Sequence, residues 1–302
     1  MTRKVTVRVP ATTANLGPGF DCLGLALDIY NTVSISSSPV FQIDVTGEGA
    51  GVLPRDAQNI AYKAVQALAD EAGRELPPLR LSLGNEIPLA RGLGSSAAAI
   101  VGALLAANHV LESHLSKDQL LALACRLEGH PDNVAPALLG GCIVVVRDGP
   151  RLVYSPVPLP PGLVAVLFVP DFTLTTVEAR KVLPRHVEMA DAVFNMGRTA
   201  LLATCLATGR LDLLRVATQD ALHQPWRKAL FPAMEALFGA ALDAGALCVF
   251  LSGAGPTVLA LTAHNADLVA HALREAAHRE RVSGSTRLAR PNFNGAHLVD
   301  EE

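Results

Sequence analysis

The segment ARGLGSSAAAI, residues 90–100, places two glycines and two serines directly before an alanine-rich stretch of helical character. A helix start exposes free backbone N–H groups and carries a partial positive charge. Glycines before it let the backbone approach an anion closely. The segment therefore predicts either a phosphate-binding loop or a capped helix that packs tightly on a sheet. It lacks the lysine of G-x-x-x-x-G-K-[ST], which argues against a P-loop NTPase.

The composition fits a globular protein of one large or two modest domains. The chain has 302 residues, of which 50% are hydrophobic, and this length can bury a sizeable core. A net charge of −3, with 4% aromatic residues and no basic run, argues against a nucleic-acid partner. No apolar stretch reaches the roughly 18 residues that span a bilayer, and the first ten residues lack a signal-peptide apolar region. We expect a cytoplasmic protein without a membrane partner.

The hydrophobic pattern predicts an α+β fold in two units. In the first unit we expect strands at 4–9, 31–36, 41–46, 79–83 and 142–147, and helices at 59–71, 95–112 and 117–128. In the second unit we expect a strand at 163–169, several helices within 177–243, strands at 246–251 and 257–261, a helix at 266–280 and a final strand. This second order is typical of a ferredoxin-like, split βαβ domain. The proline-rich segment 148–162 marks the junction, so the predicted domains are 1–155 and 156–302.

Three local predictions concern a loop, a helix start and a helix end in the first unit. Residues 10–21 are predicted to form a loop because they contain the run Gly17-Pro18-Gly19. Ser95 or Ser96 is a plausible N-cap for the alanine-rich helix. The run Gly129-His130-Pro131 is expected to end the helix at 117–128.

Two further motifs combine polar groups with turn formers. In EGHPDNVAP, residues 128–136, a carboxylate stands at a helix end, where the helix dipole penalises negative charge. A metal ion bound by Glu128 would offset that cost; alternatively, the segment is a solvated turn with Asp132 or Asn133 as a helix cap. In SGAGPTV, residues 252–258, glycines between two apolar strands allow either close approach to a ligand or a tight hairpin.

Three segments together resemble the signature regions of the GHMP kinase superfamily, in the family order. They are PATTANLGPGFDCLGLAL from residue 10, PLARGLGSSAA from residue 88, and SGAGPTV from residue 252. Within the superfamily, segments 10–21, 128–136 and 176–180 look like those of the homoserine kinases. The resemblance implies a ribosomal-S5-domain-2-like N-terminal domain that binds ATP and a ferredoxin-like C-terminal domain. It also implies transfer of the γ-phosphoryl group of ATP, with Mg²⁺, to the hydroxyl of L-homoserine in threonine biosynthesis.

The resemblance also assigns residues. The positions that would bind ATP are Asn59, Pro88, Arg91, Gly92, Leu93, Gly94, Ser95, Ser96 and Ala97, and Arg91 could instead lie in solvent. Ser96 and Glu128 would hold Mg²⁺. The substrate-binding positions are Asn15, Asp21, His130, Asn133, Thr176, Arg180, Arg227 and Gly253, while His223 lies near without a firm role. Of these, Arg180 and Arg227 would bind the carboxylate, and Asn133, Arg180 and Glu128 are expected to act in catalysis.

The general base is left open. Other superfamily members use an aspartate near the position of Asn133, whose amide cannot take a proton at neutral pH. Asp132 is expected to face away or order the loop, so that the hydroxyl passes its proton directly to phosphate. The alternatives are another small-molecule kinase of this superfamily, acting on mevalonate, shikimate or a sugar, and a non-catalytic ligand sensor. A homodimer is expected because it is common in the family.

Overall fold

Two β-sheets organise the protein in a computed structural model that describes residues 4–301; residues 1–3 and 302 of the predicted domains lie outside the described residues. The first sheet contains β1 (Lys4–Asn15), β2 (Gly19–Ser37), β3 (Gln42–Gly47), β4 (Leu79–Asn85), β5 (Cys142–Asp148), β6 (Arg151–Val157) and β11 (His297–Glu301). The second contains β7 (Val164–Pro170), β8 (Cys248–Leu251), β9 (Val258–Thr262) and β10 (Gly284–Ala289). The predicted α+β class is confirmed.

Ten helices accompany the sheets within the described residues. They are α1 (Ile60–Glu71), α2 (Ser95–Val110), α3 (Lys117–Glu128), α4 (Pro131–Leu139), α5 (Thr176–Lys181), α6 (Met189–Thr208), α7 (Leu214–Ala217), α8 (Gln224–Arg227), α9 (Met234–Asp243) and α10 (Ala266–Arg279). Among residues 4–301, none of them has both the length and the apolar character that a membrane-spanning helix needs.

The long hairpin of β1 and β2 corrects the loop predicted for residues 10–21. Strand β1 continues to Asn15, and β2 already begins at Gly19. A register shift between Pro10 and Ala11 accommodates the proline, which has no N–H to give to the ladder. Beyond this shift the strands stay paired, from Ala11 opposite Leu27 to Ala14 opposite Gly24. Only a short turn remains, and it lies beside the site described below.

Small residues let α2 approach the first sheet closely. A Cβ placed on Gly102 would lie 2.6 Å from Cγ2 of Val33 in β2, which is closer than van der Waals contact allows. The predicted N-caps Ser95 and Ser96 are wrong: they are the first two helical residues, and Gly94 is the N-cap, with φ +70°. Because glycine adopts a left-handed conformation without strain, the loop can turn sharply into the helix there. The cap position therefore has no side chain to occupy the N–H groups of the first turn.

Helix α3 ends as predicted, at Glu128, with Gly129 in a left-handed conformation at φ +95°. A second helix, α4, which the sequence analysis did not predict, then starts at once from Pro131. Proline suits the first helical position because its missing N–H would have no intrahelical partner. The proposed solvated turn is therefore wrong: Asp132 is 2% exposed, and a Cβ on Gly24 of β2 would lie 1.8 Å from its carbonyl oxygen.

The proline-rich segment predicted as a junction contains a strand. Residues 151–157 form β6, which pairs with β5 from Asp148↔Arg151 to Cys142↔Val157. Proline is tolerated here because β6 has only β5 as a neighbour. The chain returns later: β11, within the predicted second domain, pairs with β1 in the first sheet. The domain division at 155/156 stays a prediction.

The second sheet has the antiparallel order β10-β7-β9-β8, and its elements follow the predicted sequence of strand, helices, two strands, helix and strand. Its two faces join different cores. Val166 and Phe168 of β7 pack with the residues of α9 and α10, whereas Ala165, Leu167 and Val169 belong to the core of the first sheet. The two units therefore share a continuous apolar interface.

Candidate active site

A cavity of about 490 Å³ lies between the glycine-rich loop, the end of α3 and the start of α4. The predicted site residues that line it are Asn59, Pro88, Arg91, Gly92, Leu93, Gly94, Ser95, Ser96, Glu128, His130, Asn133, Thr176 and Gly253. Ala97 is the predicted nucleotide position that does not line it, because its side chain is fully buried in the core. The cavity thus unites residues from both predicted domains.

The glycine-rich loop is held by its carbonyl groups. The carbonyls of Ala90 and Leu93 accept hydrogen bonds from the backbone N–H groups of Leu174 and Thr12, at 2.9 and 3.1 Å. The carbonyl of Gly92 accepts from the Ser252 hydroxyl at 2.6 Å. These bonds come from β1 and from two segments of the second unit. They leave the following helix start, where the first N–H groups have no intrahelical partner, at the wall of the cavity.

Glycine is required at positions 92 and 94 because both have positive φ and no room for a side chain. Gly92 has φ +74°, and a Cβ there would lie 2.1 Å from the Ser252 carbonyl oxygen. Gly94 has φ +70°, and a Cβ there would lie 2.0 Å from Oγ1 of Thr12. A glycine-rich loop followed by a 16-residue helix is an arrangement that favours anions.

The side chain of Arg91 binds the protein backbone, in place of the predicted phosphate or solvent. Its guanidinium donates to the carbonyls of Pro170 at 2.8 Å, Leu89 at 3.0 Å and Asp171 at 2.7 Å. Arg91 therefore ties the loop to the end of β7, and its place in the cavity wall does not give phosphate a free cation.

Asn59 is 3% exposed and is the N-cap of α1. Its Oδ1 accepts from the N–H of Ala61 at 2.9 Å, and its Nδ2 donates to the Pro54 carbonyl at 2.7 Å. Apolar side chains that sequence reasoning missed stand near it in the wall: Leu53, Ile60, Leu83 and Leu89. This end of the cavity therefore suits a flat, largely apolar group.

Two oxygen-bearing side chains, Ser96 and Glu128, meet on the floor of the cavity. The Ser96 hydroxyl donates to Oε2 of Glu128 at 2.7 Å. Burial raises the pKa of Glu128, against the lowering effect of the Ser96 hydrogen bond. Mg²⁺ is usually held by one or two carboxylates together with phosphate oxygens, so this pair fits that ion. No group of three or more His, Cys, Asp or Glu side chains suited to a metal occurs within residues 4–301.

Four residues behind and beside this floor form a hydrogen-bonded series. Nδ1 of His130 lies 3.1 Å from Oδ1 of Asp132, and the same oxygen lies 3.4 Å from Nδ2 of Asn133. Oδ1 of Asn133 accepts from the Thr12 hydroxyl at 2.8 Å. The hydrogen bond to Asp132 raises the pKa of His130. His130 and Asn133 line the cavity, whereas Thr12 and Asp132 are buried behind them.

The predicted acceptor residues Asn15, Asp21 and Arg180 come together next to the cavity. Nη2 of Arg180 lies 2.6 Å from Oδ1 of Asp21, and the Asp21 N–H donates to Oδ1 of Asn15 at 3.0 Å. Asn15 in turn donates to the carbonyl of Gly253 at 2.9 Å, and Gly253 lines the cavity. Asp21 adopts φ +58°, a strained conformation that is frequent at functional sites.

Arg227 is 2% exposed and is held by neutral groups. Its Nη1 donates to the Gly253 carbonyl at 2.8 Å and to Nδ1 of His223 at 2.9 Å. His223 donates from Nε2 to the Gly17 carbonyl at 2.7 Å. Burial lowers the pKa of His223 to about 4 and that of Arg227 to about 10. At neutral pH a neutral imidazole therefore supports a charged guanidinium.

Phe20 completes this cluster, and sequence reasoning gave it no role. Its ring stacks on His223 with centroids 5.2 Å apart. The guanidinium carbons of Arg180 and Arg227 lie 5.3 and 5.6 Å from the centre of the same ring. The aromatic residue within the run Gly17-Pro18-Gly19-Phe20 was the available signal, but its meaning depends on α5 and α8, which are distant in sequence.

Asp220 supports the cluster from behind. Its carboxylate accepts from the backbone N–H groups of Leu222, His223 and Gln224 at 2.9, 3.0 and 2.7 Å. These bonds shape the segment that leads into α8 and so place His223 and Arg227. No pattern in the sequence singled out Asp220 for this role.

The chain matches two family models, described as the GHMP kinases N terminal domain over residues 59–141 and the GHMP kinases C terminal over residues 202–279. It is 49% identical to the homoserine kinase of Moorella thermoacetica over 97% of this chain and 99% of that protein. The crystal structure of homoserine kinase from Cytophaga hutchinsonii superposes with a TM-score of 0.89 at 30% identity, covering 98% and 97% of the two chains. The L. major mevalonate kinase in complex with R-mevalonate gives a TM-score of 0.70 at 17% identity, covering 94% and 95%; that likeness concerns the fold alone.

Proposed function

The chain belongs to the homoserine kinases of the GHMP kinase family, and from that premise we propose how its site transfers the γ-phosphoryl group of ATP to the hydroxyl of L-homoserine. The observation that supports the proposal is the hydrogen bond between Asn15 of the acceptor cluster and Gly253 in the cavity wall. The acceptor cluster of Asn15, Asp21 and Arg180 is joined through Gly253 to a cavity that contains the glycine-rich loop.

The acceptor cluster matches the charges of a zwitterionic amino acid. The Asp21 carboxylate suits the α-ammonium group, and the guanidinium groups of Arg180 and Arg227 suit the α-carboxylate, which arginine can bind with two parallel hydrogen bonds. Mevalonate and shikimate have no ammonium group, so Asp21 would have no cationic partner from either. Opposite charges in one cluster therefore favour L-homoserine over the alternatives from the same superfamily.

The cavity supplies position and charge neutralisation, which phosphoryl transfer needs more than covalent chemistry. In this proposal the triphosphate lies along Gly92, Gly94 and the start of α2. Ser96 and Glu128 would hold Mg²⁺, which when bound would neutralise charge on the phosphate oxygens. Nucleoside contacts fall to the apolar wall near Asn59, whose own side chain caps α1.

Asn133 orients the acceptor hydroxyl in this proposal, and the hydroxyl proton passes to phosphate. Asp132, the other candidate for a base, is 2% exposed and already receives hydrogen bonds from His130 and Asn133. Asp132→Asn tests the assignment. A loss of turnover of about three orders of magnitude, with unchanged substrate binding, would make Asp132 the base, since a positioned base supplies roughly 10²–10⁴-fold.

A panel of acceptors tests the function itself. ADP release is measured with L-homoserine, mevalonate, shikimate and a hexose at equal concentration, with and without Mg²⁺. We expect L-homoserine to give the highest rate. An equal rate on another acceptor contradicts the substrate assignment, and Mg-ATP binding without turnover on any acceptor would favour the ligand sensor. The homodimeric state stays a prediction of the family resemblance, and the lack of a nucleic-acid partner stays a prediction of the charge. The cytoplasmic location stays a prediction of the hydropathy pattern.

A further inference from the structure

Thr12 lies behind the cavity, where β1 passes the glycine-rich loop. It is 0% exposed and does not line the cavity. Its backbone N–H donates to the Leu93 carbonyl at 3.1 Å, and its hydroxyl donates to Oδ1 of Asn133 at 2.8 Å. A single residue therefore joins the phosphate loop to a cavity-lining side chain of α4.

The direction of the Thr12–Asn133 hydrogen bond follows from Asp132. Oδ1 of Asp132 lies 3.1 Å from Nδ1 of His130 and accepts from Nδ2 of Asn133 at 3.4 Å. The Asn133 atom turned toward Asp132 is therefore the amide nitrogen. The carbonyl oxygen of Asn133 then faces Thr12, whose hydroxyl must donate.

The loop encloses this hydrogen bond. A Cβ on Gly94 would lie 2.0 Å from Oγ1 of Thr12 and 3.2 Å from Oδ1 of Asn133. The backbone of Gly94 therefore lies directly against the side chains of Thr12 and Asn133. On its other side, Thr12 is fixed by pairing with Ala26 of β2, so β1, α4 and the loop meet at one rigid point.

We propose that Thr12 is a positioning residue for phosphoryl transfer: it holds the Asn133 carboxamide at a set distance from the phosphate loop, with one amide N–H turned to Asp132 and the second N–H left for the acceptor hydroxyl. This inference rests on the proposed function, in which Asn133 orients the acceptor hydroxyl. Since a displacement of about 1 Å can cost roughly 10²-fold in rate, losing the bond lowers kcat far more than it weakens substrate binding.

Thr12→Val removes the hydroxyl and keeps the shape of the side chain. We expect kcat to fall about 10- to 100-fold, with KM for ATP and for L-homoserine each changed less than about threefold. Thr12→Ser restores the donor and should return kcat to within about threefold of the wild type. Thr6→Val is the matched control, because Thr6 lies on the same strand and its hydroxyl hydrogen-bonds with that of Ser34, at 2.9 Å, away from the cavity; its kcat should equal the wild-type value.

A double-mutant cycle with Asn133→Ala separates positioning from a general structural effect. Without the carboxamide there is nothing for Thr12 to orient, so Thr12→Val in that background should change kcat less than about twofold. An equal loss in both backgrounds overturns the proposal, as does wild-type kcat in the single Thr12→Val variant. If circular dichroism shows that Thr12→Val is unfolded, Thr12→Ala, which also removes the donor, goes through the same cycle with the same criteria.

The proposed function and the positioning role of Thr12 are tested by different measurements. Turnover of L-homoserine by the wild type tests the proposed function without reference to Thr12. If the wild type phosphorylates another acceptor instead, the cycle is run with that acceptor, and its outcome still decides the role of Thr12.

Discussion

The two halves of the site are built by different means. On the nucleotide side, the glycine-rich loop offers backbone at positive φ, and its one nearby arginine, Arg91, is bound to protein carbonyls. On the acceptor side, charged side chains come from β2, α5 and α8, and the Arg227 side chain is almost fully buried. The first half therefore depends on chain conformation, and the second depends on which side chains are present.

Ser96 and Glu128 are the exceptions on the nucleotide side, because the proposed Mg²⁺ site depends on their side chains. Glu128→Gln keeps the shape but removes the charge that the proposed Mg²⁺ site needs, so we expect kcat/KM to fall about 10³-fold, the scale of several kcal/mol that a metal supplies. Steady-state ADP release measures this. Glu71→Gln, which breaks only an exposed pair with Arg126, should stay within about twofold. Equal activity of the two variants would remove Glu128 from the metal site.

The loop should respond to volume rather than to charge. Gly92→Ala places a methyl group 2.1 Å from the Ser252 carbonyl, so the loop must shift, and we expect kcat/KM for ATP to fall about 10²-fold. Gly209→Ala is the matched control: Gly209 has the same φ of +74° but open space around its Cβ position. It should lose about 1 kcal/mol of stability and no activity. A wild-type kcat/KM for ATP in Gly92→Ala would show that the loop conformation is not critical.

The acceptor side should respond to side-chain chemistry alone. Arg180→Lys keeps the charge but loses the planar fork that binds a carboxylate, so we expect KM for L-homoserine to rise about 30- to 100-fold. KM for ATP should be unchanged. Arg210→Lys, in an exposed pair with Asp212, is the control and should leave both constants unaltered. A parallel rise in both KM values for Arg180→Lys would contradict the separation of the two halves.

The buried acceptor side should also make stability depend on pH. The pKa of His223 is about 4 in the folded protein and about 6.5 when unfolded, so between these values the unfolded chain binds more protons. The free energy of unfolding should therefore decrease as the pH falls from about 6.5 to about 4, by at most about 1.4 kcal/mol per unit from this group. Urea unfolding at several pH values measures this dependence. For His223→Gln the free energy of unfolding should change less with pH than in the wild type, whereas the exposed His264→Gln should match the wild type.

The difference between the halves also explains what the sequence could predict. The loop and α2 were predictable because glycines, serines and alanines act on their own neighbours in the chain. The start of α1 and the end of α3 were predictable for the same reason, since Asn59 is the N-cap of α1 and Gly129 is the C-cap of α3. In the same region the N-cap was misplaced at Ser95 or Ser96, because the glycine before them occupies that position.

The missed features depend on contacts between distant residues. Residues 10–15 continue β1 because they pair with residues 19–30 of β2, whereas the run Gly17-Pro18-Gly19 had suggested a loop over residues 10–21. Helix α4 is only nine residues long and follows directly on another helix, so its start resembled a stop. Phe20 contacts His223, about 200 residues later in the chain, and Asp220 fixes the backbone at His223. The resemblance gave no role to Phe20 or Asp220 and no firm role to His223.

Strand β11 has a consequence for the order in which the protein can assemble. It forms an outer edge of the first sheet beside β1, although the whole second unit is synthesised between the two strands. Until residues 297–301 leave the ribosome, β1 has one side without a partner, and an open strand edge invites pairing with other chains. A nascent chain of this protein therefore stays exposed to aggregation longer than its early, apolar hairpin would suggest.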